Sequence, residues 1–482
     1  MTGPARRPRD ANRSEGDATA DGRHHAGGIA VGDYLDGLRI TPFHFAIFLI
    51  CALVALMDGY DSTVIGMTGT SIAASLHLDI KQFGPVFAAA QFGFMIGGFL
   101  GGPIADRRGR KRTLVVATLL FGVGAVVTVF ATSLLDLIGY RFVTGLGLGA
   151  AATCFVSLCS EYAPRRTRGL IVASLWALVP TGSIVAGVLA SIVLPRQGWT
   201  MMYLIGGAIP LASALLISLI VPESVKFLVN REGNCAHVSA ILTRLSPGAE
   251  LPAEFSAGLD PKIASRPLAY MFARDMVGTT LGLWVSFFCV WLILVTTLAW
   301  ISPLLQQEGL SAAQASLVIA SNSVGGVIGV IAVGRLIDLY DKYLVNIVML
   351  LAGAMAATAF AFLHATFLTA AGFCFAMGLT IGGASGGLTA LVAIAYPVSI
   401  RSTGVGWAMG MARFGAAMGP LLAGAIIRYN GGRDRAFVAM AACAAIAAIA
   451  LVGIRSRRSL QPASLNEATT MISSNLEGKR GR

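Results

Sequence analysis

Charge is what this chain lacks first. Only 12% of its 482 residues are Asp, Glu, Lys or Arg, roughly half the share in a soluble globular domain at about 25%. No Cys-x-x-Cys pair occurs among the seven cysteines, and five of them (Cys51, Cys154, Cys289, Cys374, Cys443) lie inside apolar stretches. That excludes a thiolate metal centre and a secreted disulfide framework, and the cysteines are expected as buried free thiols. No Gly-x-x-x-x-Gly-Lys-[Ser/Thr] loop is present, so nothing points to ATP as a power source. No paired His cluster supports an enzyme, and neither a cofactor nor a metal site is expected. His24-His25 falls in a polar tail and reads as incidental. Residues 1–42 are Arg-rich and lack the short apolar core and small-residue cleavage site of a signal peptide; they read as a disordered tail.

What the chain has is apolar length. Hydrophobic residues make up 55% of it and the mean hydropathy is +0.73. Apolar segments run near 43–67, 83–105, 113–131, 135–159, 169–194 and 199–221. After a polar stretch they resume near 277–303, 312–337, 343–364, 367–395, 402–427 and 436–454. Each is close to the roughly 20 residues that carry a helix across a bilayer. Twelve such spans joined by short connectors predict an all-α integral membrane protein whose sequential helices are antiparallel neighbours.

The net charge of +12 would suit a nucleic-acid binder, but the placement of the charges gives another reason for it. With both ends on one side, the tails, the 222–276 loop and the connectors on that side hold 29 of the 36 Lys and Arg. The opposite connectors hold only Lys81, Arg196, Arg428, Arg433 and Arg435. An excess of cations on the cytoplasmic side places both termini in the cytoplasm and removes the case for nucleic acid.

The halves repeat. Gly334-Arg335-Leu336-Ile337-Asp338 after span 8 echoes Gly102-Pro103-Ile104-Ala105-Asp106 after span 2, and the two aspartates are 232 positions apart. Arg168 and Arg401, each four residues after a proline, are 233 apart. A shared offset predicts two six-helix bundles (43–221 and 277–454), a linking loop (222–276) and a C-terminal tail (455–482). A parallel repeat of this kind places a transport site between the halves.

Gly102 through Arg112, with Asp106-Arg107-Arg108-Gly109-Arg110-Lys111-Arg112, resembles the loop 2–3 signature of the major facilitator superfamily, and the resemblance covers roughly residues 40 to 455. It implies that Asp106 and Arg110 join a charge network that locks one conformation. The second copy keeps Asp338 but has lost most of the basic run, so a lock there should be weaker. Within the superfamily, Asp58-Gly59-Tyr60-Asp61 in span 1 is similar to the first-helix pattern of the aromatic acid:proton symporters. Arg141 with Gly145, Gly147 and Gly149, Glu161 through Arg168, Tyr396 through Arg401, and Arg413 with Gly415 and Gly419-Pro420 fit the same family. The resemblance implies a monomeric inner-membrane carrier, working by alternating access, that imports an aromatic carboxylate with protons. A gating role for Glu161, Arg168, Asp338 and Arg401 is implied by the family alone.

The residues themselves bear on mechanism. Ionisable groups inside a span are costly, and Asp58, Asp61, Arg141 and Arg413 are four of them. Asp58 and Asp61, at i and i+3, share a helical face and so could share a partner or a wet cavity. Span 1 runs outward and span 4 inward, which puts Asp61 and Arg141 at similar depth, each about 9 Å from the outer end. We read Asp58 and Asp61 as the proton carriers and Arg141 as the group that tunes them; a static ion pair is the plainer alternative. Arg413 has no acidic partner at its depth in the second half, and its planar fork suits a carboxylate. A bond to backbone or to Asn322 is the alternative there. Trp284, Phe287, Phe288 and Trp291 form an aromatic stripe; Trp284 and Trp291 are candidates for stacking on a ring, although packing or lipid contact would produce the same stripe. A drug:proton antiporter and a carrier of a non-aromatic organic acid remain the rival readings.

Overall fold

The computed structural model describes residues 29–459 apart from 39, 233–235, 247–254, 257–269, 274–275, 398–399 and 430–431. Eleven of the described helices are long and apolar enough to cross a membrane. One of them, Arg168–Ile220, has 53 residues, or about 80 Å at 1.5 Å per residue, far more than one crossing needs. It breaks at Gly198, where φ is 75° and ψ −177°, a conformation that only glycine adopts without strain. The break makes two spans, 168–197 and 199–220, and the total becomes twelve. Spans 1 to 4 are Pro42–Ser75, Gly84–Arg108, Arg110–Val127 and Leu134–Tyr162. Spans 7 to 12 are Val277–Gln307, Ala312–Leu339, Lys342–Phe362, Phe367–Ala395, Arg401–Arg428 and Gly432–Ser459. Span 10 carries a π-helical turn at Gly378–Gly382.

The boundaries depart from the sequence reading where local chemistry extends a helix. Span 1 begins on the Thr41 capping box with Pro42 in its first turn and runs to Ser75, eight residues past the expected end. Span 12 continues through Ser459, into the segment expected as tail. The expectation of disorder through residue 42 does not hold for Val31–Asp36, which is helical. Val31 and Leu35, spaced i and i+4, are buried, and Asp36 pairs with Arg168. Two further helices, Val225–Glu232 and Ala236–Leu245, occupy part of the linker. Ile29–Ala30 pairs in parallel with Phe255–Ser256. His24-His25 and the tail beyond Ser459 lie outside the described residues.

The repeat is visible in the packing. Gly93 and Gly97 of span 2 lie against the backbone of Phe142 and Leu146 in span 4, while Gly325 and Gly329 of span 8 lie against Phe375 and Leu379 in span 10. Gly182 packs on Leu56 as Gly415 packs on Phe288. Every pair of equivalents is 232 or 233 positions apart. A Cβ at any of these glycines would collide with a carbonyl, so the small residues are what allow the helices to approach so closely.

The loops around Arg107–Arg112 mark one face of the bundle, termed the basic face. At the far face the halves meet closely: Gly66 against Leu298, Gly84 against Pro420 and Gly424, Gly187 against Ser316 and Ala320. Trp300 seals this contact, its indole Nε1 donating to Pro420 O at 3.0 Å and its ring edge-on to Phe87 at 5.2 Å.

Candidate functional site

The four intramembrane charges form two arrangements. Arg141 of span 4 donates from Nη1 to Asp61 Oδ1 at 2.8 Å and from Nη2 to Oδ2 at 2.7 Å, a bidentate pair inside the first half. The pair is fully enclosed, with side-chain exposures of 0% and 4%. Such burial requires good geometry to offset desolvation, and the fork–carboxylate match supplies it. Thr68 and Tyr203 extend the cluster: their hydroxyls are 3.4 Å apart, and Arg141 lies 5.9 Å from the Tyr203 ring centre.

Asp58 goes elsewhere. It is buried, receives a long hydrogen bond of 3.4 Å from Ser62 Oγ, and interacts electrostatically with Arg413 of the second half without a direct ion pair between them. Beside the expectation that Arg413 lacks an acidic partner in its own half stands a finding sequence reading missed: the carboxylate that acts on it comes from span 1. The two aspartates share a helix face yet serve different cations. Between them, Gly59 lets span 1 touch the backbone of Val179 in span 5, and Tyr60 donates to Met202 O at 2.9 Å.

Arg413 is held by rings. Its guanidinium carbon lies 3.9 Å from the Phe94 ring centre and 4.9 Å from that of Trp291. Phe94 belongs to span 2 and Trp291 to span 7, so one ring comes from each half. Asn322 is not its partner; that amide donates to Cys374 O at 3.0 Å. Trp284 is not brought to Arg413 either. It stacks on Trp407 at 5.6 Å and meets Phe272 edge-on. The stripe thus divides: Trp291 belongs to the site, and Trp284 to an aromatic cluster about two turns nearer the basic face. Phe94 was not singled out in the sequence, and the signal available was its i+3 spacing from Gln91 on the same face.

A cavity of about 20 Å³ lies between the arrangements, lined by Asp61, Ser62, Gln91, Phe94, Arg141 and Val295 among others. That volume holds a water molecule and excludes an organic acid. Gln91 Oε1 is buried there without a hydrogen-bond partner, an acceptor that a ligand or water donor would satisfy.

At the basic face, Arg110 donates to Glu161 at 2.8 Å, whereas Asp106 is exposed and only 4.0 Å from Arg110. Glu161 also accepts from Ser224 Oγ at 2.9 Å and from the Lys226 amide at 3.2 Å. Glu223 accepts from the Lys111 amide at 2.8 Å. The Pro222-Glu223-Ser224 segment is therefore built into this network. Arg168, which the family resemblance also implies for gating, takes Asp36 and Ala163 O rather than Glu161. In the second half Asp338 and Arg401 are exposed and, among the described residues, not joined to one another. Three residues beyond Asp338, Asp341 instead pairs with Arg455 of span 12 at 3.3 Å.

The model of the Major Facilitator Superfamily matches residues 51–397 and 283–477. The chain belongs to the major facilitator superfamily. It is 32% identical to the gallate transporter of Pseudomonas putida over 83% of this chain and 89% of that protein. It is 32% identical to the 4-hydroxybenzoate transporter PcaK of Pseudomonas aeruginosa over 80% and 87%. With the benzoate transport protein of Acinetobacter baylyi it shares 28% identity over 92% and 97%. Among solved structures, that of a D-xylose-proton symporter superposes with a TM-score of 0.67 at 19% identity, covering 85% of this chain and 97% of that one. In this fold the two halves meet at the site: Asp58 of span 1 interacts across the interface with Arg413 of span 11.

Proposed function

We propose that this protein imports small aromatic carboxylates together with protons. The observation that carries the reading is Arg413, clamped by Phe94 and Trp291 and facing Asp58 without an ion pair. A carboxylate takes the guanidinium fork, and its ring lies among the same aromatic faces. The relatives named for gallate, 4-hydroxybenzoate and benzoate transport support that substrate class.

Coupling follows from competition. Ionised Asp58 opposes the substrate anion for the field of Arg413; protonated Asp58 yields it. A proton on Asp58 and an anion at Arg413 therefore favour one another, which is the linkage symport requires. Asp61, tied bidentately to Arg141, is the fixed member and Asp58 the exchanging one, a division of the role first given to both. The 20 Å³ cavity requires the halves to part before substrate enters. The basic face is cytoplasmic on this reading, with the protein in the inner membrane, both termini inside, and the far face closed. The network of Arg110, Glu161 and Glu223 then braces the first half at its inner end. One chain supplies both halves of the site, which suits a monomer.

Uptake of labelled 4-hydroxybenzoate into proteoliposomes under an imposed pH gradient tests this. The native protein concentrates the acid, whereas Asp58→Asn exchanges it without concentrating it. Accumulation by Asp58→Asn on the gradient would remove Asp58 from coupling. Export, or binding without movement, would remove import.

A further inference from the structure

A second cavity has no part in this scheme. It is a groove of about 450 Å³ between spans 2 and 3, floored by span 4. Spans 2 and 3 pack chiefly on span 4 and little on each other. Leu100, Ile104, Val116 and Leu120 form its walls, and all four are exposed, while Gly101 and Ala117 keep its base low. From Arg108 to Gly97 it runs about 16 Å along span 2 at 1.5 Å per residue, the scale of an acyl chain. At its basic-face end stand Arg107, Arg108, Arg112 and Arg231. All four are exposed, and among the described residues no acidic side chain pairs with them. Of the nearby carboxylates, Glu161 is committed to Arg110 and Glu223 to backbone amides, while exposed Asp106 has Arg110 as its paired cation, at 4.0 Å.

We propose that this groove binds one anionic phospholipid, its acyl chain along spans 2 and 3 and its phosphate among the four arginines. The charge pattern selects the occupant. An apolar furrow alone takes any lipid tail, but four uncompensated guanidinium groups at headgroup depth favour a net negative headgroup over a zwitterionic one. Arg107, Arg108 and Arg112 flank Arg110, which holds Glu161, and Arg231 belongs to the linker helix Val225–Glu232, so lipid bound here touches the network at the end of span 4. The site is independent of which acid the protein carries.

Native mass spectrometry of the purified full-length protein, with phosphatidylglycerol or phosphatidylcholine added, measures the binding. One phosphatidylglycerol is expected to survive conditions that strip phosphatidylcholine. Replacing Arg107, Arg108 and Arg112 together by Gln should weaken its retention by about fivefold per arginine. Arg165→Gln with Arg166→Gln, exposed at the same face but away from the groove, should leave retention unchanged. Equal retention by the triple variant overturns the site, and equal loss in the Arg165/Arg166 variant reduces it to general attraction by a basic surface. Displacement by glycerol phosphate alone would show that the groove contributes nothing. Should the triple variant fail to fold, phosphatidylglycerol with a photoreactive acyl chain decides on the native protein. Labelling concentrated on 97–104 and 116–120 supports the site, and labelling spread over all lipid-facing spans overturns it.

Discussion

The two halves of this transporter are built on one backbone plan and carry opposite electrostatic designs. Glycine contacts recur at a spacing of 232 or 233 residues, so spans 2 and 4 approach as spans 8 and 10 do. The charges do not recur. Positions 232 or 233 beyond Asp61 and Arg141 hold Ile293 and Cys374, and the position 233 before Arg413 holds Pro180. The first half closes its charge on itself, Asp61 on Arg141, whereas the second half presents Arg413 to aromatic rings and to a carboxylate across the interface. The difference teaches that the repeat supplies geometry and that function comes from breaking its symmetry. On the proposed function, a cation paired within its half serves as structural support, whereas one held by rings keeps its fork available to a substrate.

The largest expected contrast comes from removing one arginine in each half. Arg141→Ala leaves Asp61 buried without its partner and should cost about 3–5 kcal/mol, seen as a fall in the melting temperature of the purified protein. Arg413→Ala loses cation–π contacts worth about 0.5–2 kcal/mol and should abolish uptake while the protein stays folded. Equal destabilisation by the two changes would break the comparison. A conservative change sharpens it further. Arg413→Lys keeps the charge but not the planar fork, and it should raise the KM for a benzoate-type acid by about tenfold, the loss of one charge-assisted hydrogen bond. The smallest contrast lies at the basic face. Arg110→Ala strips buried Glu161 of its cation and should cost about 1–3 kcal/mol, whereas Arg455→Ala breaks an exposed pair with Asp341 and should cost under about 1 kcal/mol. Thermal melts of both variants measure the difference; equal losses would mean that the second half has a lock of the same strength.

Much of the site was legible because membrane insertion makes every intramembrane charge conspicuous. Asp61 and Arg141 could be matched by depth, since rise per residue converts sequence position into height within a span. Glu223 and Phe94 were not legible. Glu223 acts through backbone amides of a distant loop, and Phe94 is one aromatic residue among many in an apolar span. Asp338 and Arg401 were singled out by likeness to a motif, yet Asp341 and Arg455 are the residues that meet there.

The sequence by itself determined the number of spans, the repeat and which residues had to be accounted for, because hydrophobic length, glycine spacing and charge count are properties of local chain chemistry. Only the tertiary structure decided that the two aspartates part company. Asp58 and Asp61 lie three residues apart on one helix, and no local rule sends one to Arg141 and the other toward Arg413. That assignment depends on how two bundles, separated by more than two hundred residues of chain, come to face each other.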